Sequence, residues 1–175
     1  VINKYDIVYL GNTQPLVTGG GGVTVKYKQV TLSAFFHGRF GQSIVNMARM
    51  NNESMFGSNN QSKAVLRRWK NEGDNTDIPR ALYNEGRNYL GSDRFVEKAS
   101  FVRLKSMTLS YGFPRKICNR FNVNSLSVFV TGYNLFTWTN YTGQDPEVSV
   151  KDNLAIDTAT TPVAKRFSFG LNMSF

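Results

Sequence analysis

The chain has little of what most site chemistry requires. It holds one cysteine, Cys118, and one histidine, His37, so an internal disulfide is excluded and Cys/His metal clusters are out of reach. A Cys–His–Asn protease would require those two residues to meet. Proline is scarce, at 5 in 175 residues, while Phe (13) and Tyr (8) are plentiful, which argues against a disordered tail. No apolar run approaches the roughly 18 residues of a transmembrane helix. That excludes helical membrane proteins and leaves β-barrels open, because their strands alternate lipid-facing and interior side chains. The N-terminal Val-Ile-Asn-Lys-Tyr-Asp lacks both an initiator Met and a basic-then-apolar leader, and reads as a cut end.

What is present is period-two alternation. Over Arg166–Phe175, Phe167, Phe169, Leu171, Met173 and Phe175 fall on one face, and Arg166, Ser168, Gly170, Asn172 and Ser174 on the other. Val30–Phe40 alternates likewise, with Val30, Leu32, Ala34, Phe36 and Phe40 against Thr31, Ser33, Phe35, His37 and Arg39. A strand over Ser100–Phe113 slips phase near Lys105-Ser106, as a bulge would require. A fourth covers Ser125 to about Trp138, and a short one, Val23–Tyr27, precedes a tight turn at Lys28-Gln29.

Strands of about ten residues suit a tilted bilayer crossing, whereas soluble strands average about 5–6. Arg39, Arg103, Lys105 and Arg166 all fall on polar faces, where they avoid the roughly 2–4 kcal/mol charged to Arg or Lys at the lipid midplane. Short connections (Lys28-Gln29; Pro114–Asn124) alternate with longer ones (Gly41 to about Glu97; Asn140 to about Ala164), the pattern of periplasmic turns and extracellular loops. This parity sends the final strand toward the periplasm. The expected fold class is all-β: antiparallel strands from the C-terminal part of a large transmembrane β-barrel. Its long extracellular loops contain a short helix over Lys63–Trp69.

Several segments resemble the C-terminal barrel of SusC/RagA-family TonB-dependent transporters. Tyr9-Leu-Gly-Asn12, then Pro15 and Thr18-Gly-Gly20, is similar to the family's approach to a strand, and Tyr27–Phe36 to its hairpin. Ser92-Asp-Arg-Phe-Val-Glu-Lys-Ala-Ser-Phe-Val-Arg-Leu-Lys105 resembles its SDR…RLK run, which leads into Leu109-Ser-Tyr-Gly112. Val130–Trp138 and Tyr141-Thr-Gly-Gln-Asp-Pro-Glu-Val148 resemble its TGxNLFTW and YxGxDPEV stretches, and the terminal Phe matches too. The likeness runs in order along nearly the whole chain, residues 1–175, with about five strands. The family's plug and remaining strands, of about 22 in all, are absent.

The resemblance implies an outer-membrane importer of oligosaccharide or peptide, with no catalytic residues and no cofactor. It implies as partners a SusD-like lipoprotein lid, TonB acting through the missing plug region, the barrel-assembly machinery and outer-membrane lipid. Trp69, Tyr83, Tyr89, Tyr133, Trp138 and Tyr141 are candidates to stack on a glycan or to contact peptide, with loop packing as the plainer role. Asp145, another candidate loop contact, joins Glu147 and Asp152 as hard oxygen donors, more simply read as a solvated loop than a Ca²⁺ site. Gly19–Gly22 lacks the Gly-Lys-Ser/Thr of a phosphate loop and reads as a flexible turn. His37 reads as a structural donor facing the lumen, and Cys118 as an inert residue in a short turn.

A soluble basic β-sandwich that binds polysaccharide or nucleic acid is the alternative, suggested by the net charge of +9. Against nucleic acid, the cations are spread over turns, polar faces and the long loop, with no concentrated stripe. A barrel enzyme would need a nucleophile and base that the sequence does not offer. By the same resemblance, Phe167, Phe169, Leu171, Met173 and Phe175 are expected to face lipid, and the aromatic end of this strand resembles the signal read by the barrel-assembly machinery. Deleting Phe175 from the full transporter is expected to lower its yield in outer-membrane fractions; an unchanged yield removes the assembly role.

Overall fold

The computed structural model describes residues 4–82, 92–148, 150–151 and 154–175. The chain forms two compact units. One comprises residues 15–40, 100–140 and 162–175; the other comprises 1–14, 41–99 and 141–161.

The first unit is a five-stranded antiparallel sheet. In chain order its strands are β1 (Val17–Tyr27), β2 (Val30–Phe40), β5 (Phe101–Gly112), β6 (Ser125–Thr139) and β9 (Arg166–Ser174), and they lie side by side in that order. All five expected strands are present. The first is longer than the alternation suggested: Gly19–Gly22 lies inside β1, paired with Phe35–Gly38, and is not a turn. The ladder gives these residues hydrogen-bond partners that a free loop would lack, which offsets the entropic cost of ordering glycine. The turn itself falls at Lys28-Gln29, where Lys28 takes a positive φ of 51°.

The expected phase slip is real. Phe35 pairs with Ser106 and Phe36 with Leu104, so Lys105 is an extra residue on β5. Against β6 the register also jumps, with Leu104 opposite Phe136 and Ser106 opposite Tyr133; Asn134, within the jump, has φ 53°. The bulge keeps Val102 and Leu104 on the same face as Met107, Leu109 and Tyr111. Opposed residues share a face, so that surface also takes Val23 and Val25 of β1 and Leu32 and Ala34 of β2. Val128 and Val130 of β6 and Phe167, Phe169 and Leu171 of β9 complete it. It carries no charged residue.

The opposite face is polar, with Thr24–Ser33 (3.0 Å) and Thr108–Thr131 (2.8 Å) hydroxyl pairs bridging strands. Two phenylalanines lie flat on it over glycines. Phe35 covers Gly20 and Gly22, whose added Cβ would come within 3.0 and 3.4 Å of its ring, and Phe129 covers Gly170.

The second unit is built from the connections. Its strands are β3 (Ser43–Asn46), β4 (Val96–Lys98), β7 (Val150–Lys151) and β8 (Leu154–Asp157), in the order β4-β3-β8-β7, and it contains helix α1 (Met47–Asn52). The β3–β8 pairing is parallel and the other two antiparallel. The expected 41–97 loop is therefore largely organised, and its anticipated helix is a 3-10 turn at Lys63–Arg67 only. Ile44, Ala99, Tyr141 and Ala155 form a small core, with Val148 and Val150 packed against it. Alternation is too short in these strands to show in sequence. In the strand unit, Pro114–Asn124 holds a second helix, α2 (Arg115–Arg120), where the sequence suggested a plain turn; Cys118 is buried in it.

Gly170→Val forces the Phe129 ring off the sheet. In the full-length protein it is expected to cost about 1–3 kcal/mol, read as a lower midpoint of thermal unfolding. Adding Phe129→Ala should restore part of that loss.

Candidate functional site

Two surfaces could serve function, one in each unit. On the strand unit it is the apolar face, half-buried toward its middle, with Leu104 buried, and most exposed along β9: Phe169 is 80% exposed, Phe167 62%, Leu171 56% and Met173 47%, while Phe175 beyond the strand reaches 83%. Soluble monomers rarely expose an apolar patch beyond about 300–600 Å². Each such side chain gains about 1.5–3 kcal/mol when fully removed from water, so water is the wrong solvent for this face. Trp138 sits on it beside Phe36 (6.4 Å between centroids) and Phe136 (6.1 Å).

The polar face carries the cations. Arg103 is buried, with its Nε donating to the Thr137 hydroxyl (2.9 Å) and its guanidinium 5.4 Å from the Phe101 ring. Arg166 lies 4.6 Å over Tyr133. His37 packs 6.0 Å from Phe101. Its Nδ1 is buried without a hydrogen-bond partner among the described residues, so the expected donor role is not made there.

In the loop unit a polar cluster surrounds Glu97. Its carboxylate accepts from the backbone N–H (3.0 Å) and hydroxyl (2.8 Å) of Thr142, from Arg49 Nη1 (3.1 Å) and from Asn46 Nδ2 (3.2 Å). Burial pushes this carboxyl up, but the hydrogen bonds from Thr142, Arg49 and Asn46 outweigh it and hold Glu97 below the usual range. Arg49 also reaches Glu53 (3.1 Å), which pairs with Arg94 at 2.6 Å, so two cations and two carboxylates close a network. Buried Gln42 donates to the carbonyls of Ala99 (2.9 Å) and Pro146 (3.1 Å), tying together segments distant in sequence. Beside the network lies a cleft of about 570 Å³ lined by amides, hydroxyls and charges, including Asn52, Ser62, Thr142, Gln144 and Asp157.

The sequence candidates scatter across these surfaces. Tyr83, Tyr89 and Asp152 lie outside the described residues. The Tyr133–Trp138 run is divided by the alternation of β6: Tyr133 is on the polar face, and Trp138 on the apolar face at 53% exposure. Tyr141 presents no open ring. It is buried, with its hydroxyl donating to Asp157 Oδ2 (2.7 Å), and burial together with that carboxylate raises its pKa. Asp145 Oδ1 is engaged by the Glu147 N–H (2.9 Å). Among the described residues no three His, Cys, Asp or Glu gather to hold a metal. Trp69 is half-buried and its backbone N–H donates to the Ile78 carbonyl (2.9 Å).

Sequence reasoning missed the Glu97 network. Arg94, Glu97 and Thr142 stood inside the quoted runs, so the signal existed. Gln42, Asn46, Arg49 and Glu53 form no pattern, because most of their partners lie 40 or more residues away.

Comparison with known proteins gives one direction. The chain is 29% identical over 182 residues to TonB-dependent receptor P3 of Formosa agariphila, covering 99% of this chain and 18% of that receptor. TonB-dependent receptor P26 of the same organism is also 29% identical, with 100% of this chain and 18% of the relative covered. The chain thus spans about a fifth of the length of these relatives. No family model matches. Among solved structures, it superposes on the RagAB peptide importer in its closed-closed state with TM-score 0.80 and 27% identity, over 93% of this chain and 18% of that one. The open-open state gives 0.75 and 26%, over 93% and 17%. The antiparallel sheet matches that architecture. The relatives bear the names of receptors and the structures those of transporters, not of enzymes.

Glu97 sits lower than an unfolded Glu, so its stabilisation is complete above the usual range of about 4.3 and is lost as pH falls through its folded-state value. Glu97→Ala in the full-length protein is expected to cost about 1–3 kcal/mol of local stability. Hydrogen-exchange protection of residues 94–99 and 141–147 would fall accordingly, and acidification would reproduce the loss in the unmutated protein.

Proposed function

Because this chain is SusC/RagA-like, we propose that it is the C-terminal portion of an outer-membrane, TonB-dependent importer, with its five long strands forming part of the barrel wall. The carrying observation is the apolar face: continuous over five strands, uncharged, exposed, and held in phase through the bulge at Lys105. In hydrocarbon every backbone polar group must be paired within the protein, and a closed barrel does this for strands. The outer edges of β1 and β9 have no neighbour among the described residues, so further strands of the receptor would complete the ladder.

In this reading Arg39, Arg103, Arg166 and His37 line the lumen. The loop unit belongs to the extracellular side, where a SusD-like lipoprotein would cover it. Energy for import would come from TonB acting on a plug elsewhere in the receptor. The RagAB likeness favours peptide over oligosaccharide as cargo, since RagAB is a peptide importer. Tyr133, Trp69 and the loop cleft, with its amide and hydroxyl lining, suit a hydrogen-bonding cargo of either kind. The alternative soluble sandwich would need a second sheet over the apolar face, and nothing in the strand unit covers it.

Met107→Arg puts a cation in the middle of the apolar face and is expected to cost about 2–4 kcal/mol, abolishing or sharply reducing the heat-shifted band in outer membranes. Ser110→Arg, on the opposite face of the same strand, should leave the band intact. Equal tolerance of both substitutions would overturn the lipid-facing assignment.

A further inference from the structure

Charge is divided unevenly along the chain. Residues 15–40, 100–140 and 162–175 hold ten of its Lys and Arg and none of its Asp or Glu, so the strand unit alone carries +10 while the whole chain carries +9. Half of these cations gather at one end of the sheet: Lys26 and Lys28 about the β1–β2 turn, and Arg115, Lys116 and Arg120 on α2. All five are exposed and form no ion pair among the described residues. The end is held as one rim by backbone hydrogen bonds from Gly112 N to Gln29 O (2.8 Å), Phe113 N to Leu126 O (2.9 Å) and Asn124 N to Ser174 O (2.7 Å).

Aromatic and apolar groups are interleaved with the cations. Tyr27 is 70% exposed with Lys28 Nζ 5.4 Å from its ring. Tyr111 and Phe113 meet edge to face at 5.2 Å. Ile117 is exposed between the basic residues of α2, and Phe121 is exposed just past its end. Tyr27 and Tyr111 lie in the last row of the apolar face, opposite Val30, so the cations begin where the uncharged face ends.

We propose that this rim binds anionic phospholipid headgroups, Lys28 and the α2 cations on the phosphates and its aromatic rings at the boundary of the acyl chains, while Lys26, opposite Thr31, stays on the polar face. The proposal rests on the membrane reading above. Amphipathic rings favour the interfacial zone, and long basic side chains reach from an apolar surface to the headgroups. A patch of cations with no carboxylate among them, continuous with a lipid-facing surface, complements a sheet of phosphates. An acidic protein partner would account for the charge but not for that continuity.

The test uses the full receptor in nanodiscs of equal parts phosphatidylcholine and phosphatidylglycerol. Lipids retained after partial delipidation are counted by native mass spectrometry. The unmutated receptor should retain phosphatidylglycerol preferentially. The combined variant Arg115→Gln, Lys116→Gln, Arg120→Gln should lower that preference at least about threefold, and Lys63→Gln, Lys70→Gln, Lys98→Gln in the loop unit should leave it unchanged. Every preparation is also scored for the heat-shifted barrel band. Loss of that band in the unmutated receptor overturns the membrane reading and the proposal together. An intact band with equal retention of both lipids, or a rim variant that keeps the full preference, overturns the rim alone. So does an intact band with the rim required only for capture of an acidic periplasmic protein.

Discussion

A strand surrounded by hydrocarbon has no water to satisfy its N–H and C=O groups, so its ladder must be complete and its side chains must sort by face without exception. Most of the strand unit follows from these two demands. The pairing from β1 through β9 supplies the ladder, and the period of two supplies the sorting. A single added residue would invert the sorting for half of a strand. At Lys105 the chain absorbs one in a bulge, and Arg103 consequently stays with the polar groups while Leu104 and Val102 stay with the apolar ones. The glycines of β1 and β9 serve the other face, where Phe35 and Phe129 lie against backbone that a Cβ would occupy.

The loop unit is governed by a different balance. Its main apolar cluster is small, four buried residues with two valines against them; Met50, Val65, Ile78 and Phe95 are buried outside that cluster, and polar contacts carry much of the unit's definition. Glu53 and Glu97 are mostly removed from water, and each is matched by cationic or hydrogen-bonding partners that offset its desolvation. Removing one partner strands the others, so the unit is specified by a network more than by any pair. Gln42 acts in the same way on neutral groups, holding two carbonyls from different segments with one amide.

The charge partition joins both themes. Asp and Glu are confined to the other unit, where Glu53 and Glu97 pair with Arg49 and Arg94, and are missing from the strand unit, whose cations are left for its polar face and the sheet end. A net charge for the whole chain hides this, because the loop unit is nearly neutral. The spread of cations seen along the sequence is real in one dimension and an illusion at the sheet end, where the turn and α2 bring five of them to one rim.

Alternation over ten or more residues is a long-lived local signal. The five strands, the bulge and the apolar face were therefore determined by the sequence itself, as was the placement of Arg39, Arg103 and Arg166 away from that face. Gly19–Gly22 was misread because glycine has no side chain to alternate, and only pairing with Phe35–Gly38 identifies it as strand. Two- to four-residue strands such as β3, β4, β7 and β8 carry too little period to be seen, and the partners of β3 lie about 50 to 110 residues away. Alternation already sends Tyr133 and Trp138, five residues apart on β6, to opposite faces. Only the tertiary structure turns Tyr141 inward to Asp157, because long-range packing and hydrogen bonding set that direction, and neither is carried by the local sequence.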